Sequence, residues 1–128
     1  METLTTKGIK ISVDTYYHEK HSRPVEQKFV FVYQITIENK SNTTVQLLHR
    51  HWYIFDSNGV VREVEGEGVI GKQPILKPGE THQYVSWSPL QSDMGKMYGY
   101  FLMVDKIKQV KFKVPVPEFK LITPFKMN

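Results

Sequence analysis

The stretch Val64-Glu65-Gly66-Glu67-Gly68-Val69-Ile70-Gly71-Lys72-Gln73-Pro74 carries three glycines in the spacing Gly-x-Gly-x-x-Gly. Whether they cradle a nucleotide or bend a sheet sets the architecture. As a dinucleotide fingerprint the stretch would need a strand before the glycines and a helix after them, because the helix N-terminus holds the pyrophosphate. Beyond Gly71 come Pro74 and then Ile75-Leu76-Lys77-Pro78-Gly79-Glu80, which is turn chemistry. A Walker loop fails too, since Gly71-Lys72 is followed by Gln73 and not by Ser or Thr. In an extended chain Glu63, Glu65 and Glu67 stand on one side. Each pair would repel a polyphosphate by about 1 kcal/mol at a few Å in water. The glycines are therefore expected to serve the backbone, through positive φ, a bulge or a close approach where the chain passes between sheets.

Outward from this bend, the dominant period is two, the period of strands. Ile9, Ile11 and Val13 alternate with Lys10, Ser12 and Asp14. Phe29, Phe31, Tyr33, Ile35 and Ile37 share one face, and the other begins with Val30 and Val32 before turning polar at Gln34, Thr36 and Glu38. Extended patterns recur over 44–55, 60–66, 81–88 and 96–104, with a turn at Asp56-Ser57-Asn58-Gly59. Pro78-Gly79 is the type II signature. In the last pattern Val110, Phe112, Val114 and Val116 oppose Lys111, Lys113 and Pro115, and the prolines require this strand to end there or to lie on a sheet edge. No segment sustains a helical period. Seven to eight short strands predict an all-β fold, an antiparallel β-sandwich of immunoglobulin or fibronectin type III kind, forming one domain over residues 1–128.

The composition agrees. The chain has 128 residues, 40% hydrophobic, 12% aromatic and 23% charged, and no cysteine. Without cysteine there is neither a disulfide framework nor a thiolate metal site. No apolar run reaches signal-peptide or membrane-span length, so a cytoplasmic location with no membrane partner is expected. The net charge is +4, but basic residues such as Lys106, Lys108, Lys111 and Lys113 are scattered or alternate with apolar ones. That is the pattern of a solvated strand face, and no nucleic-acid partner is expected.

Several motifs occur together: Arg50-x-Trp52, Asp56-x-x-Gly59, the run Val64 to Pro74, Leu76-x-Pro78-Gly79-Glu80, the series Gly95, Met97, Gly99, Phe101 and Met103, and the closing Pro117-x-Phe119. This combination, over residues 8–121, resembles the ApaG family of small bacterial proteins. One position departs: Trp87 stands where the family commonly has glycine after Tyr-x-Ser. The resemblance implies a fibronectin type III or immunoglobulin-like sandwich, an association with cobalt resistance and magnesium efflux, and no catalytic residues. The same domain occurs in some eukaryotic F-box proteins, where it looks like a protein-interaction module.

Candidate chemistry is sparse. His49 and His51 project to one face of a strand and, with Glu65, are the candidate divalent-metal ligands, with His82 a further donor. Arg50, Gly66, Gly68, Gly71 and Lys72 are the candidate site for a phosphate-type anion held by a nest of backbone amides. His18 and His21 fall in a polar loop. No Gly-x-Ser-x-Gly elbow is present, and Ser86 and Ser88 read as the polar face of a strand. Tyr98, Tyr100, Leu102 and Val104 line one face of their strand while Phe101 and Met103 line the other. A sandwich strand meets the core with one face only, so the surplus predicts a sticky outer face. The expectation is a non-enzymatic module without a cofactor that binds a protein partner or a second copy. The alternative is a small-ligand binder that takes an anion or divalent cation near Gly66–Gly71.

Overall fold

The structure, a computed structural model, describes residues 1–125. Nine strands succeed one another: β1 (Glu2–Thr6), β2 (Ile9–Tyr17), β3 (Phe29–Asn39), β4 (Val45–Asp56), β5 (Val61–Glu67), β6 (Ile75–Leu76), β7 (Thr81–Leu90), β8 (Met94–Asp105) and β9 (Val110–Ile122). Two 3₁₀ turns, Glu19–His21 and Pro24–Glu26, interrupt the β2–β3 connection. The strands form two antiparallel sheets, one ordered β1-β2-β3-β7 and one ordered β5-β4-β8-β9, with β6 also pairing with β4. This is the antiparallel sandwich that the alternation predicts. Nine strands exceed the expected seven to eight because two are short or peripheral: β6 has two residues and β1 is almost wholly exposed.

The core lies between the sheets. Ile9, Ile11 and Val13 from β2 and Phe31, Ile35 and Ile37 from β3 meet Leu47 and Trp52 from β4, Phe101 and Met103 from β8, and Val114, Phe119 and Leu121 from β9. Trp52 sits at its aromatic centre, edge-on to Phe101 and Phe119 at 6.0 and 5.9 Å between ring centroids and 5.6 Å from Tyr33. Fully burying each such side chain stabilises the fold by roughly 1.5–3 kcal/mol.

Two bulges break the alternation. Pairing of β4 with β8 shifts register between Leu47 and His49, so Leu48 is the extra residue. Before it Val45 and Leu47 point inward; after it the inward residues are Arg50, Trp52 and Ile54, and His49, His51, Tyr53 and Phe55 turn out. The second shift lies on β9, where Pro117 and Glu118 oppose Tyr98. A proline there removes no ladder bond that the bulge would have kept. β9 runs on to Ile122 and forms the edge of its sheet, the second of the two arrangements its prolines allow.

The turns obey residue chemistry. Gly79 has φ +88° and the Glu80 amide donates to the Lys77 carbonyl at 2.9 Å, which closes the Pro78-Gly79 turn. Buried Asp56 joins two connections, accepting from the Gln91 amide at 2.6 Å and from the Ser92 hydroxyl. Buried Asn39 is fully engaged: Nδ2 donates to the carbonyls of Thr43 (2.8 Å) and Leu76 (2.9 Å), and Oδ1 accepts from the Ser41 amide and hydroxyl. Among the described residues no helix is long and apolar enough to cross a membrane.

Candidate functional site

The glycine bend packs against the Leu48 bulge. A bulge leaves backbone groups without ladder partners, and buried ones must be satisfied elsewhere. Here the Leu48 carbonyl accepts from the Gly68 amide at 2.8 Å and from Gln73 Nε2 at 3.0 Å, and the Leu47 amide donates to the Pro74 carbonyl at 3.0 Å. Arg50 Nη1 then donates to the carbonyls of Glu67 (3.0 Å) and Gly68 (3.1 Å). Val69 plugs into the core beneath.

Each glycine of the triplet has its own cause. A Cβ on Gly66 would lie 3.0 and 3.1 Å from Arg50 Nη1 and Nη2, so glycine leaves room for the guanidinium. Gly68 has φ +61° and a Cβ there would lie 2.1 Å from the Lys72 carbonyl oxygen. Gly71 (φ +71°) succeeds Ile70 (φ +49°) in a two-residue hairpin turn, where the amides of Val69 and Lys72 donate to each other's carbonyls at 2.8 and 3.0 Å. Primed hairpin turns require positive φ at both central residues. Of the five residues singled out for an anion, Arg50, Gly66 and Gly68 come together. Gly71 and Lys72 form the hairpin tip. The amides of Gly68, Val69 and Lys72 donate within the protein, and Arg62 points away from the glutamates to donate to the Pro89 carbonyl on β7.

Because the bulge reverses the alternation, the outer face of the five-stranded sheet displays aromatic rings in cross-strand pairs. His51 lies opposite Tyr100, and Tyr53 opposite Tyr98. Both pairs are stacked, with centroids 5.1 and 5.2 Å apart and planes inclined by 17° and 16°, and His51 lies 4.9 Å from Tyr53 along the strand. Cross-strand aromatic pairs contribute roughly 0.2–1 kcal/mol each.

Charge is divided across this face. On the β5 side Glu63 and Glu65 approach His51, with Glu65 Oε2 3.1 Å from Nδ1 and Glu63 Oε1 3.5 Å from Nε2. The second contact is an ion-pair distance without hydrogen-bond alignment, and His51 Nε2 has no hydrogen-bond partner. The Tyr100 hydroxyl lies 3.3 Å from Nδ1. On the opposite flank Lys113 Nζ sits 4.6 Å above the Tyr100 ring, and Lys96 Nζ lies 5.7 Å from Phe55 and 6.0 Å from Tyr98. Desolvation first, and then the Glu63 charge, raise the Tyr53 hydroxyl above its ordinary pKa.

Of the candidate metal ligands, His49 and His51 do share one face, opposite Glu67 and Glu65. His82 belongs to the other sheet, beside Tyr84, where burial lowers its pKa. Among the described residues no three His, Asp or Glu side chains are grouped to hold a metal ion. Ser86 and Ser88 face the sheet interior and not solvent; Ser88 is buried with its hydroxyl unpartnered, while Val85 and Trp87 face out. Sequence reasoning missed Lys113 as a partner of the aromatic face, because it comes from a strand whose pairing order no local pattern reveals.

The sequence matches the family profile of the ApaG domain over residues 19–105. It is 43% identical over 124 residues to the protein ApaG of Brucella abortus, covering 97% of this chain and 95% of that one. The chain belongs to the ApaG family. A Brucella anthropi ApaG protein is 44% identical over the same length. Among solved structures, the ApaA protein of Bordetella pertussis superposes on this ApaG domain with a TM-score of 0.88 at 40% identity, covering 91% of this chain and 94% of that one. A structural genomics target solved by X-ray superposes at 0.86 with 36% identity, covering 95% and 92%. The resemblance carried by the bend and the Arg50–Trp52 strand is thus a family relationship, and the sandwich is the family's fold.

Proposed function

We propose that this ApaG domain is a non-catalytic binding module that pairs with a second copy through the outer face of its five-stranded sheet. The observation that carries the reading is the division of that face into an acidic flank, an aromatic centre and a basic flank. Glu63, Glu65 and Glu67 occupy β5; His51, Tyr53, Tyr98 and Tyr100 occupy the centre; Lys111, Lys113 and Lys120 line β9, where the single carboxylate, Glu118, is paired with Lys96 at 3.3 Å. A two-fold axis parallel to the strands lays the acidic flank of one copy on the basic flank of the other and aromatic centre on aromatic centre. That is the self-complementarity an isologous dimer requires.

Area sets the strength. Four strands about 4.8 Å apart and about seven residues long at 3.4 Å each present roughly 450 Å² per copy. Two such faces bury about 900 Å², below the 1,200–2,000 Å² of stable complexes, so a weak and reversible dimer is expected. Charge exchange tests it. Glu63→Lys with Glu65→Lys, and separately Lys111→Glu with Lys113→Glu, should each remain monomeric, while the two variants mixed should associate. Equal self-association by each variant alone would refute the arrangement.

A further inference from the structure

The outer side of the other sheet carries a different constellation. His18 immediately precedes the 3₁₀ turn Glu19–His21, and in a 3₁₀ turn side chains three residues apart eclipse one another. His18 and His21 accordingly face each other, ring centroids 4.4 Å apart and planes at 84°, with Nδ1 to Nδ1 only 3.2 Å. At that separation two neutral imidazoles share a single proton, one nitrogen donating and the other accepting. Two nitrogens bound at 2.0–2.1 Å to one metal ion would be about 2.8 Å apart at a right angle and about 3.3 Å apart in a tetrahedron. The observed spacing falls within that range.

The pair is held from three sides. The His18 amide donates to the Val30 carbonyl at 2.8 Å; Ser22 Oγ donates to the His18 carbonyl at 2.8 Å and accepts from the Val30 amide at 2.9 Å. Trp87 from β7 fixes both rings, stacking on His18 at 4.9 Å and 27° and meeting His21 edge-on at 4.9 Å. Trp87 is half exposed, so the outer side of the pair is open to solvent. Preorganised imidazoles lose less side-chain entropy when they bind.

We propose that His18 Nδ1 and His21 Nδ1 together bind one divalent first-row transition-metal ion beside Trp87; the proton between them passes through solvent to the donor ring's own Nε2, so both rings stay neutral and both Nδ1 lone pairs face the ion. Two protein nitrogens and solvent oxygens complete the shell, and Cu²⁺ binds most tightly in the order expected of imidazole sites. This site is on the face opposite the dimer surface and does not depend on it.

Trp87 reports the binding. Trp52 is buried, so quenching of the half-exposed tryptophan by Cu²⁺ reads this site. Titration of the full chain with Cu²⁺ should give saturable, one-to-one quenching. His18→Ala or His21→Ala should weaken it roughly tenfold or more, about 1.4 kcal/mol or more. Trp87→Phe should abolish the signal while calorimetry still finds one Cu²⁺ bound, and Zn²⁺ should displace the copper only in large excess. His49→Ala with His51→Ala should leave the titration unchanged. Linear, non-saturating quenching in the wild type, wild-type affinity in both single-histidine variants, or loss of binding only in the His49/His51 variant would each overturn the proposal. Circular dichroism of each variant separates loss of the site from loss of the fold.

Discussion

Gly99→Ala is expected to be among the most damaging single-methyl additions to this fold, and its cost is set by one distance. Gly99 pairs with Trp52 in the β4–β8 ladder, and a Cβ there would lie 2.0 Å from the His51 carbonyl oxygen and 3.1 Å from Trp52 Cα. The obstacle is backbone and cannot swing aside. Carbon-to-oxygen contacts between strands settle near 3.3 Å, so β4 and β8 must part by roughly 1.3 Å. A ladder bond of 2.9 Å stretched by that amount exceeds 4 Å and is lost. Losing about two such bonds at about 1 kcal/mol each, with about 1–3 kcal/mol of overpacking beside Trp52, gives about 3–5 kcal/mol. With a urea slope of about 2 kcal/mol per M, the midpoint should fall by about 2 M. Gly59→Ala is the control: it has φ +95° but nothing within 4 Å of the added carbon, so only backbone strain of about 1–2 kcal/mol applies. Urea unfolding of both variants by circular dichroism decides the matter. A midpoint for Gly99→Ala no lower than that of Gly59→Ala would refute the reasoning.

Three further outcomes are expected. Asn39→Ala removes four hydrogen bonds from a buried side chain, so urea unfolding should show a loss of about 2–3 kcal/mol. Asp105 is held below the ordinary carboxylate value of 3.8, chiefly by the Lys108 amide and also by the Thr43 hydroxyl and the Ile107 amide. A lowered native pKa gives stability that is complete above 3.8 and lost as pH falls through the native value, so the gap between wild type and Asp105→Asn should close in acid denaturation below that pH. Arg50→Met should release the clamp on the Glu67 and Gly68 carbonyls at a cost of about 1.5–3 kcal/mol. Hydrogen exchange of the Gly68 amide should then accelerate more than that of core strands such as β3.

The layers of the sandwich were legible because burial writes period two into the chain: Ile9 to Val13 and Tyr33 to Ile37 alternate cleanly, and Pro78-Gly79 names its turn. β1 was illegible because it buries almost nothing, so no alternation marks it. The Leu48 bulge was hidden as well, since Leu47 and Leu48 are both apolar and either could face inward; only pairing with β8 shows which one is extra. The shared face of His49 and His51 could be read from their spacing, but the stacking on Tyr100 could not, because it depends on a strand some fifty positions away. The glycine triplet misleads by its regularity. Its spacing copies a nucleotide loop, yet Gly66 clears a guanidinium, Gly68 clears a carbonyl and Gly71 sits in a hairpin turn.

If the outer face of the five-stranded sheet is a contact surface, its residues must sense protein concentration. A dilution series of ¹H–¹⁵N correlation spectra, from millimolar to low micromolar protein, tests this residue by residue. Concentration-dependent shifts are predicted at Glu63, Glu65, Tyr98, Tyr100 and Lys113, diminishing as salt is added. Spectra that do not change with dilution, or that change only along β1, β2, β3 and β7, would contradict it.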